Sequence, residues 1–254
     1  MQEQTIILVS SALGDTLAWV PVVEEYQKQK QCKIKLITWY NELFDQYPNI
    51  EFIEQTQLYQ KWFSTHTEPP VLKEDLGINY LIGLNDPTDP LTKPLQQVAA
   101  DILGIDFTET RPRLNFEPKE PKVEGKYICI APHASSEQKH WDYEGWQQVI
   151  DYYNIKGYKV VYISYEEPTD LKHIIDQSGQ PITETMNNIY HSEAVIGLSS
   201  GVSWLAWGLE AKVVLVSTHT PIEFKCERVY DEQISPNMVI EATNRVVGDS
   251  IDDV

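Results

Sequence analysis

Positive charge is scarce in this chain. Twenty Lys and Arg stand against 38 Asp and Glu in 254 residues, a formal net charge of −18. Such a surface repels phosphate chains at long range, which argues against a nucleic-acid or anionic-membrane partner. Any phosphate-bearing ligand must then be held by local devices: helix N-termini, hydroxyls and one or two placed cations. Cysteine is also rare. Cys32, Cys129 and Cys226 lack CxxC spacing, so neither a disulfide framework nor a zinc site is expected. Cys129, inside the apolar run 127–131, reads as core. No apolar run approaches the roughly 20 residues of a membrane span. The start, MQEQTIILVS, has no basic region and too short an apolar run for a signal peptide, so the expected location is the cytoplasm. The GxGxxG, P-loop, GxSxG and HExxH patterns are missing as well.

What is present is an α/β rhythm. TIILVS at 5–10 is a β-rich run of the buried parallel kind. A loop follows, then a helix from about Thr16 to Lys30, with Pro21 expected in its first turns. Lys33–Trp39 is a strand, 41–46 a short helix and Ile50–Ile53 a strand. This βαβαβ order points to a parallel sheet. Residues 54–92 are irregular, with one strand near Tyr80–Leu84; Lys93–Leu103 has helical spacing and ends at a capping Gly104.

The stretch RPRLNFEPKEPKVEG at 111–125 reads as a linker. It divides the chain into lobes 1–118 and 119–254. The second lobe repeats the rhythm, with strands at 126–131, 159–164, 194–197 and 212–216. Helices are expected at 143–153, 169–177, 184–191 and 202–209. The last helix begins at Ser235-Pro236, a cap followed by proline at the first position, and runs to about Val247. It is a candidate to pack back on the N-terminal lobe. The fold class is therefore α/β, with two Rossmann-like lobes whose parallel sheets face a central cleft, where open α/β sheets bind ligands.

Four segments carry candidate chemistry, each with a plainer reading beside it. In Ser10-Ser11-Ala12-Leu13-Gly14-Asp15-Thr16, Gly14 permits a tight turn. Asp15 at a helix start suits a general base for an acceptor hydroxyl, and equally suits a simple N-cap. In the loop 131–141, Ser135, Ser136 and Lys139 suit a phosphate. His133 and His140 there have no metal-spaced partner, and Trp141 and Trp146 read as packing. Gly197-Leu198-Ser199-Ser200-Gly201 leads into an apolar helix; it is either an anion cradle or an ordinary capped turn. Glu166 and Glu167, just past a strand, suit ribose hydroxyls or simply water.

Taken in order, these loops resemble those of glycosyltransferase family 9, the heptosyltransferases. The resemblance rests on Gly14-Asp15 with Pro21 beyond it. It rests also on Pro132 through Lys139-His140-Trp141, and on the hydroxyl-Gly turn at 199–201 before a small-residue helix. Ser-Ala-Leu-Gly-Asp-Thr-Leu-Ala and Gly-Leu-Ser-Ser-Gly-Val-Ser-Trp-Leu-Ala-Trp are similar to loops of the autotransporter heptosyltransferase subgroup.

The resemblance implies a GT-B fold and inverting, metal-independent transfer from a nucleoside-diphosphate sugar, typically ADP-heptose, to a hydroxyl on a glycan or protein. No other cofactor is implied, and the oligomeric state stays open. Carried over by position, Asp15 is the base, with Ser11, Gly14 and Thr16 on the acceptor side. Lys139 and Ser135 hold the diphosphate; Ser199, Ser200 and Gly201 cradle phosphates; Glu166 or Glu167 meets the nucleoside. Asp86 and Asp89 do not form the DxD of metal-dependent glycosyltransferases and read as turn residues.

Many members of the family have Asp-Thr-Gly followed three residues later by His. Here Ser199-Ser200-Gly201 precede Trp204. A counterpart of the subgroup's cysteine-rich metal finger or extra N-terminal domain is not expected from these residues, so its protein acceptor is not carried over. Two other readings stay open: a non-catalytic sugar-nucleotide or glycan-binding protein, and a GT-B epimerase using carboxylates with His133 or His191.

Overall fold

A computed structural model describes residues 2–44, 46–54, 78–83, 89, 92–217 and 223–249. The chain divides into two units, Met1–Asn115 and Phe116–Val254. The boundary falls inside the segment that its prolines and charges mark as a linker.

In the first unit, β1 (Glu3–Leu8) pairs in parallel with β2 (Lys33–Thr38) and β4 (Tyr80–Ile82), and β2 with β3 (Ile50–Glu54). The order is β3-β2-β1-β4. Helix α1 (Leu13–Lys30) and helix α2 (Leu95–Leu103) cover this sheet. Gly104 ends α2 at φ 64 with its N–H on the Ala100 carbonyl, the expected left-handed cap.

Helix α1 corrects one expectation. It begins at Leu13, three residues earlier than the spacing suggests, so Pro21 lies deep in its interior. A proline there loses a backbone hydrogen bond and crowds the preceding turn. Thr16 through Glu24 are all buried, so packing on every side of α1 holds the helix together across the proline. Glu24 lies in that buried run and is paired, 2.6 Å from Arg113 and 3.1 Å from Lys28.

In the second unit six parallel strands run β10-β9-β8-β5-β6-β7. They are β5 (Tyr127–Ala131), β6 (Lys159–Tyr162), β7 (Ile175–Asp176), β8 (Ala194–Leu198), β9 (Val213–Ser217) and β10 (Glu227–Tyr230). Every residue of β5, β8 and β9 is buried, as continuous apolar runs demand of strands covered on both faces. Around them lie α3 (Tyr143–Ile155), α4 (Ile182–Tyr190), α5 (Gly201–Gly208) and α6 (Pro236–Val247). Helix α6 starts at the expected proline and packs on α3, β9 and β10 of its own unit.

The helix expected over 169–177 does not form. Asp170 and His173 adopt φ of 65 and 60, which an α-helix cannot contain. The apolar residues Leu171 and Ile174 pack on the core from irregular backbone instead. The Gln147 amide bonds both the N–H and the carbonyl of Lys172, and Asn154 Nδ2 donates to the His173 carbonyl. Side chains of α3 thus satisfy backbone groups that a helix would have satisfied internally. Strand β10 was not expected from the sequence.

The linker is tied to each unit separately. Thr110 bonds Gln96 in both directions, and the Arg113 N–H donates to the Tyr47 hydroxyl at 2.7 Å. Beyond the boundary the Lys119 N–H donates to Asn187 Oδ1, and Asn187 Nδ2 donates to the Glu120 carbonyl.

Candidate functional site

Each sheet reverses its strand order at one place, and ligands of open α/β sheets bind at the carboxyl ends beside that switch point. In the first unit it lies between β1 and β4, in the second between β5 and β8.

Ser11 and Asp15 therefore belong to the carboxyl edge of the first sheet, as expected. Ser11 is exposed and its carbonyl accepts from the Tyr40 hydroxyl at 3.3 Å. Asp15 is half-buried in the first turn of α1, where the helix dipole favours a negative charge. It is not the N-cap, a position that Ala12 holds without a side-chain bond. Two expectations for this loop are corrected. Gly14 lies inside α1 and makes no tight turn. Thr16 is 0% exposed, so its hydroxyl is not available to an acceptor.

The second unit brings four loops side by side. Those after β5 and β8 are neighbours because Ala131 pairs with Gly197. A 3-10 turn at Glu137–Lys139 aims the lysine across that pair. Lys139 Nζ donates to the carbonyl and to the hydroxyl of Ser199, both at 3.3 Å. The Ser199 hydroxyl donates in turn to Glu223 Oε1, and Trp204 Nε1 donates to Glu223 Oε2 at 3.0 Å. Glu223, past the end of β9, is 4% exposed. Burial pushes its carboxyl above the usual carboxylate range, against the opposing pull of Ser199, Lys139 and Trp204.

Helix α5 begins in this cluster. Ser200 is its N-cap in extended conformation, and its own hydroxyl is buried without a partner among the described residues. The first N–H groups of a helix have no intrahelical acceptor, so they add positive potential beside Lys139. The start of α5 sits close against β8 because position 197 is glycine. A Cβ there would stand 2.5 Å from Ser203 Oγ, which itself bonds the Leu198 carbonyl at 2.6 Å.

The sequence-based set is thus partly assembled. Lys139, Ser199, Ser200 and Gly201 come together. The Ser199 hydroxyl donates to Glu223 and accepts from Lys139. Ser135 is exposed in the same loop. Glu223 was not anticipated. Its one sequence signal is an acidic residue between Ile222 and Phe224, shortly after an apolar strand.

A second cluster lies between the loops after β5 and β6. Glu166 Oε2 is 3.3 Å from His133 Nδ1, with side-chain exposures of 71% and 16%. Burial lowers the His133 pKa, and it outweighs the Glu166 carboxylate, whose attraction is screened by water. The Tyr143 hydroxyl stands 3.4 Å from His133 Nε2. Glu167 is exposed.

The remaining candidates are structural. Trp141 donates to the Ile234 carbonyl at 3.1 Å and meets Trp146 edge to face. His140 Nε2 is 2.9 Å from the Ala134 carbonyl, and His191 Nε2 is 2.6 Å from the Lys119 carbonyl. That contact occupies one ring nitrogen of His191. Asp89 turns the chain through its carbonyl, which accepts from Thr92 and Lys93; Asp86 lies outside the described residues. Cys129 is buried and its thiol is pushed up to about 12. No three His, Cys, Asp or Glu side chains gather as a metal-ligand set among the described residues. No helix there is long and apolar enough to cross a membrane.

Residues 89–242 match the family model of glycosyltransferase family 9 (heptosyltransferase), more than half of the chain. The chain is 31% identical over 222 residues to autotransporter heptosyltransferase Aah of Escherichia coli, covering 82% of this chain and 55% of that one. It is 27% identical over 233 residues to BimC of Burkholderia thailandensis, named an inactive autotransporter heptosyltransferase, covering 84% and 52%. The chain spans about half the length of these curated relatives. Among solved structures it resembles TibC of enterotoxigenic E. coli, described as an iron-containing dodecameric glycosyltransferase. There the TM-score is 0.74 at 24% identity, over 97% of this chain and 77% of that one. TibC has also been solved in complex with ADP-D-beta-D-heptose. The residues described here do not supply a ligand set for iron. With two parallel sheets, switch-point loops in the expected order and this family match, the chain belongs to glycosyltransferase family 9, the heptosyltransferases, and has a GT-B fold.

Proposed function

We propose that this chain is an inverting, metal-independent glycosyltransferase that takes heptose, or a similar sugar, from ADP-heptose to a hydroxyl on a glycan or protein. The observation that carries this reading is the Lys139 ammonium fixed on Ser199 at the N-terminus of α5. A cation and helix N–H groups at one point suit a diphosphate. They also stabilise the negative charge that develops on it as it leaves, which is the task a divalent metal performs elsewhere. Ser200 and Gly201 complete the cradle, and Glu166 contacts the nucleoside. TibC's complex with ADP-D-beta-D-heptose supports the choice of donor.

In the reaction an acceptor hydroxyl attacks the anomeric carbon from the face opposite the diphosphate. The new carbon–oxygen bond forms as the bond to the β-phosphate oxygen breaks. Asp15 takes the hydroxyl proton, and the departing ADP carries the electron pair. The reading places the chain in the reducing cytoplasm, on its three scattered cysteines without CxxC spacing.

A second reading is favoured by one observation: BimC is named inactive. On that reading the chain binds the same donor without transferring the sugar. Calorimetry with ADP and ADP-heptose, followed by mass spectrometry of the incubated mixture, decides between them. The proposal expects binding and release of ADP. Binding without any turnover selects the second reading, and absence of binding to either nucleotide overturns both.

A further inference from the structure

We propose that Glu223 is the positioning residue of the diphosphate site, holding Ser199 and, through it, the Lys139 ammonium at the start of α5. This rests on the reading of that site given above.

A carboxylate taken from water needs good partners at both oxygens. Glu223 has them: the Ser199 hydroxyl on Oε1 and the Trp204 indole N–H on Oε2. Trp204 is clamped between Trp207 and Phe224, with ring centroids 5.5 and 4.8 Å away. The acid is therefore anchored on a rigid aromatic block rather than on a loop. An apolar side chain would fill this position beside the rings at less cost, so the carboxylate has a polar task.

That task follows from the hydroxyl's single proton. Ser199 directs it into a hydrogen bond to Glu223, which leaves the lone pairs of the hydroxyl oxygen as acceptors. One of them receives Lys139. Without the carboxylate the hydroxyl is free to rotate and the ammonium loses a fixed acceptor.

Charge alone predicts the opposite effect on binding. Removing an anion beside a diphosphate strengthens that anion's binding, whereas losing the positioning weakens it. The sign therefore separates the two. Glu223→Gln keeps the shape but offers one acceptor: with its oxygen on Trp204 the amide N–H meets Ser199, whose hydroxyl must turn round and accept, and with its oxygen on Ser199 the Trp204 N–H is left unpaired.

The test is calorimetric titration of the full chain with ADP for wild type, Glu223→Gln, Lys139→Ala and the double variant, with melting temperatures recorded alongside. Glu223→Gln is expected to weaken ADP binding about tenfold, and to change it less than about twofold once Lys139 is already alanine. Ser199→Ala, which cuts the link while keeping the acid and its Trp204 bond, is expected to show a loss of the same order and serves if Glu223→Gln does not fold. Unchanged or tighter binding by Glu223→Gln overturns the proposal, as does an equal loss in both backgrounds. Failure of the wild type to bind ADP overturns the reading of the site along with it.

Discussion

Lys139 Nζ donates to Ser199 at 3.3 Å although 60 residues separate them in the chain. The contact is a consequence of sheet order. β5 and β8 are adjacent and parallel, so the loops leaving their carboxyl ends emerge side by side.

Lys139→Ala removes the one cation in this contact. ADP affinity should fall roughly tenfold, on the scale of a lost charge-assisted hydrogen bond, about 1.4 kcal/mol. Calorimetry reads it directly. Unchanged affinity would remove Lys139 from the donor site.

Asp15→Ala and Asp15→Asn should leave ADP binding unaltered, because Asp15 belongs to the first unit's sheet edge and not to the Lys139 cluster. Transfer should drop about a hundredfold or more, the usual contribution of a general base. A turnover assay at saturating donor checks this, and a variant that still turns over at the wild-type rate excludes Asp15 as the base.

Gly197→Ala places a methyl carbon 2.5 Å from Ser203 Oγ. Both residues are buried, so α5 must shift or the Ser203–Leu198 bond must break. Overpacking of this kind costs about 1–3 kcal/mol. Chemical denaturation should show that loss, and Gly197→Ala combined with Ser203→Ala should recover part of it.

His133 makes stability depend on pH. Its folded pKa lies below the ordinary 6.5 because of burial. Below about pH 6.5 the unfolded chain takes up a proton there that the folded chain refuses, so stability falls as pH falls, until His133 protonates in the fold as well. Above that value the group has no effect. Denaturation midpoints between pH 7 and 5 should decline less steeply for His133→Gln than for wild type; parallel slopes would show that another group is responsible.

Local patterns made much of the fold legible. Continuous apolar runs marked β1, β5, β8 and β9, and Ser235-Pro236 marked the start of α6, because burial and capping act on neighbours in sequence. The segment 169–177 misled for the same reason. Leu171, Ile174 and Ile175 have helical spacing, yet Gln147 and Asn154, on another element, capture the backbone of Lys172 and His173 between them. Pro21 misled in the opposite direction, since the packing that tolerates it involves residues far along the chain.

The sequence by itself determined the parallel α/β order and the switch-point loops that carry Asp15, Lys139 and Ser199–Gly201, because strand–loop–helix units place their loops at one sheet edge by geometry alone. Only the tertiary structure decided what those residues touch. It buried Thr16, turned the Ser199 O–H onto Glu223 and set Trp204 as a donor to that same acid. Those partners lie up to 84 positions apart between Lys139 and Glu223, and no local pattern carries the strand order that unites them.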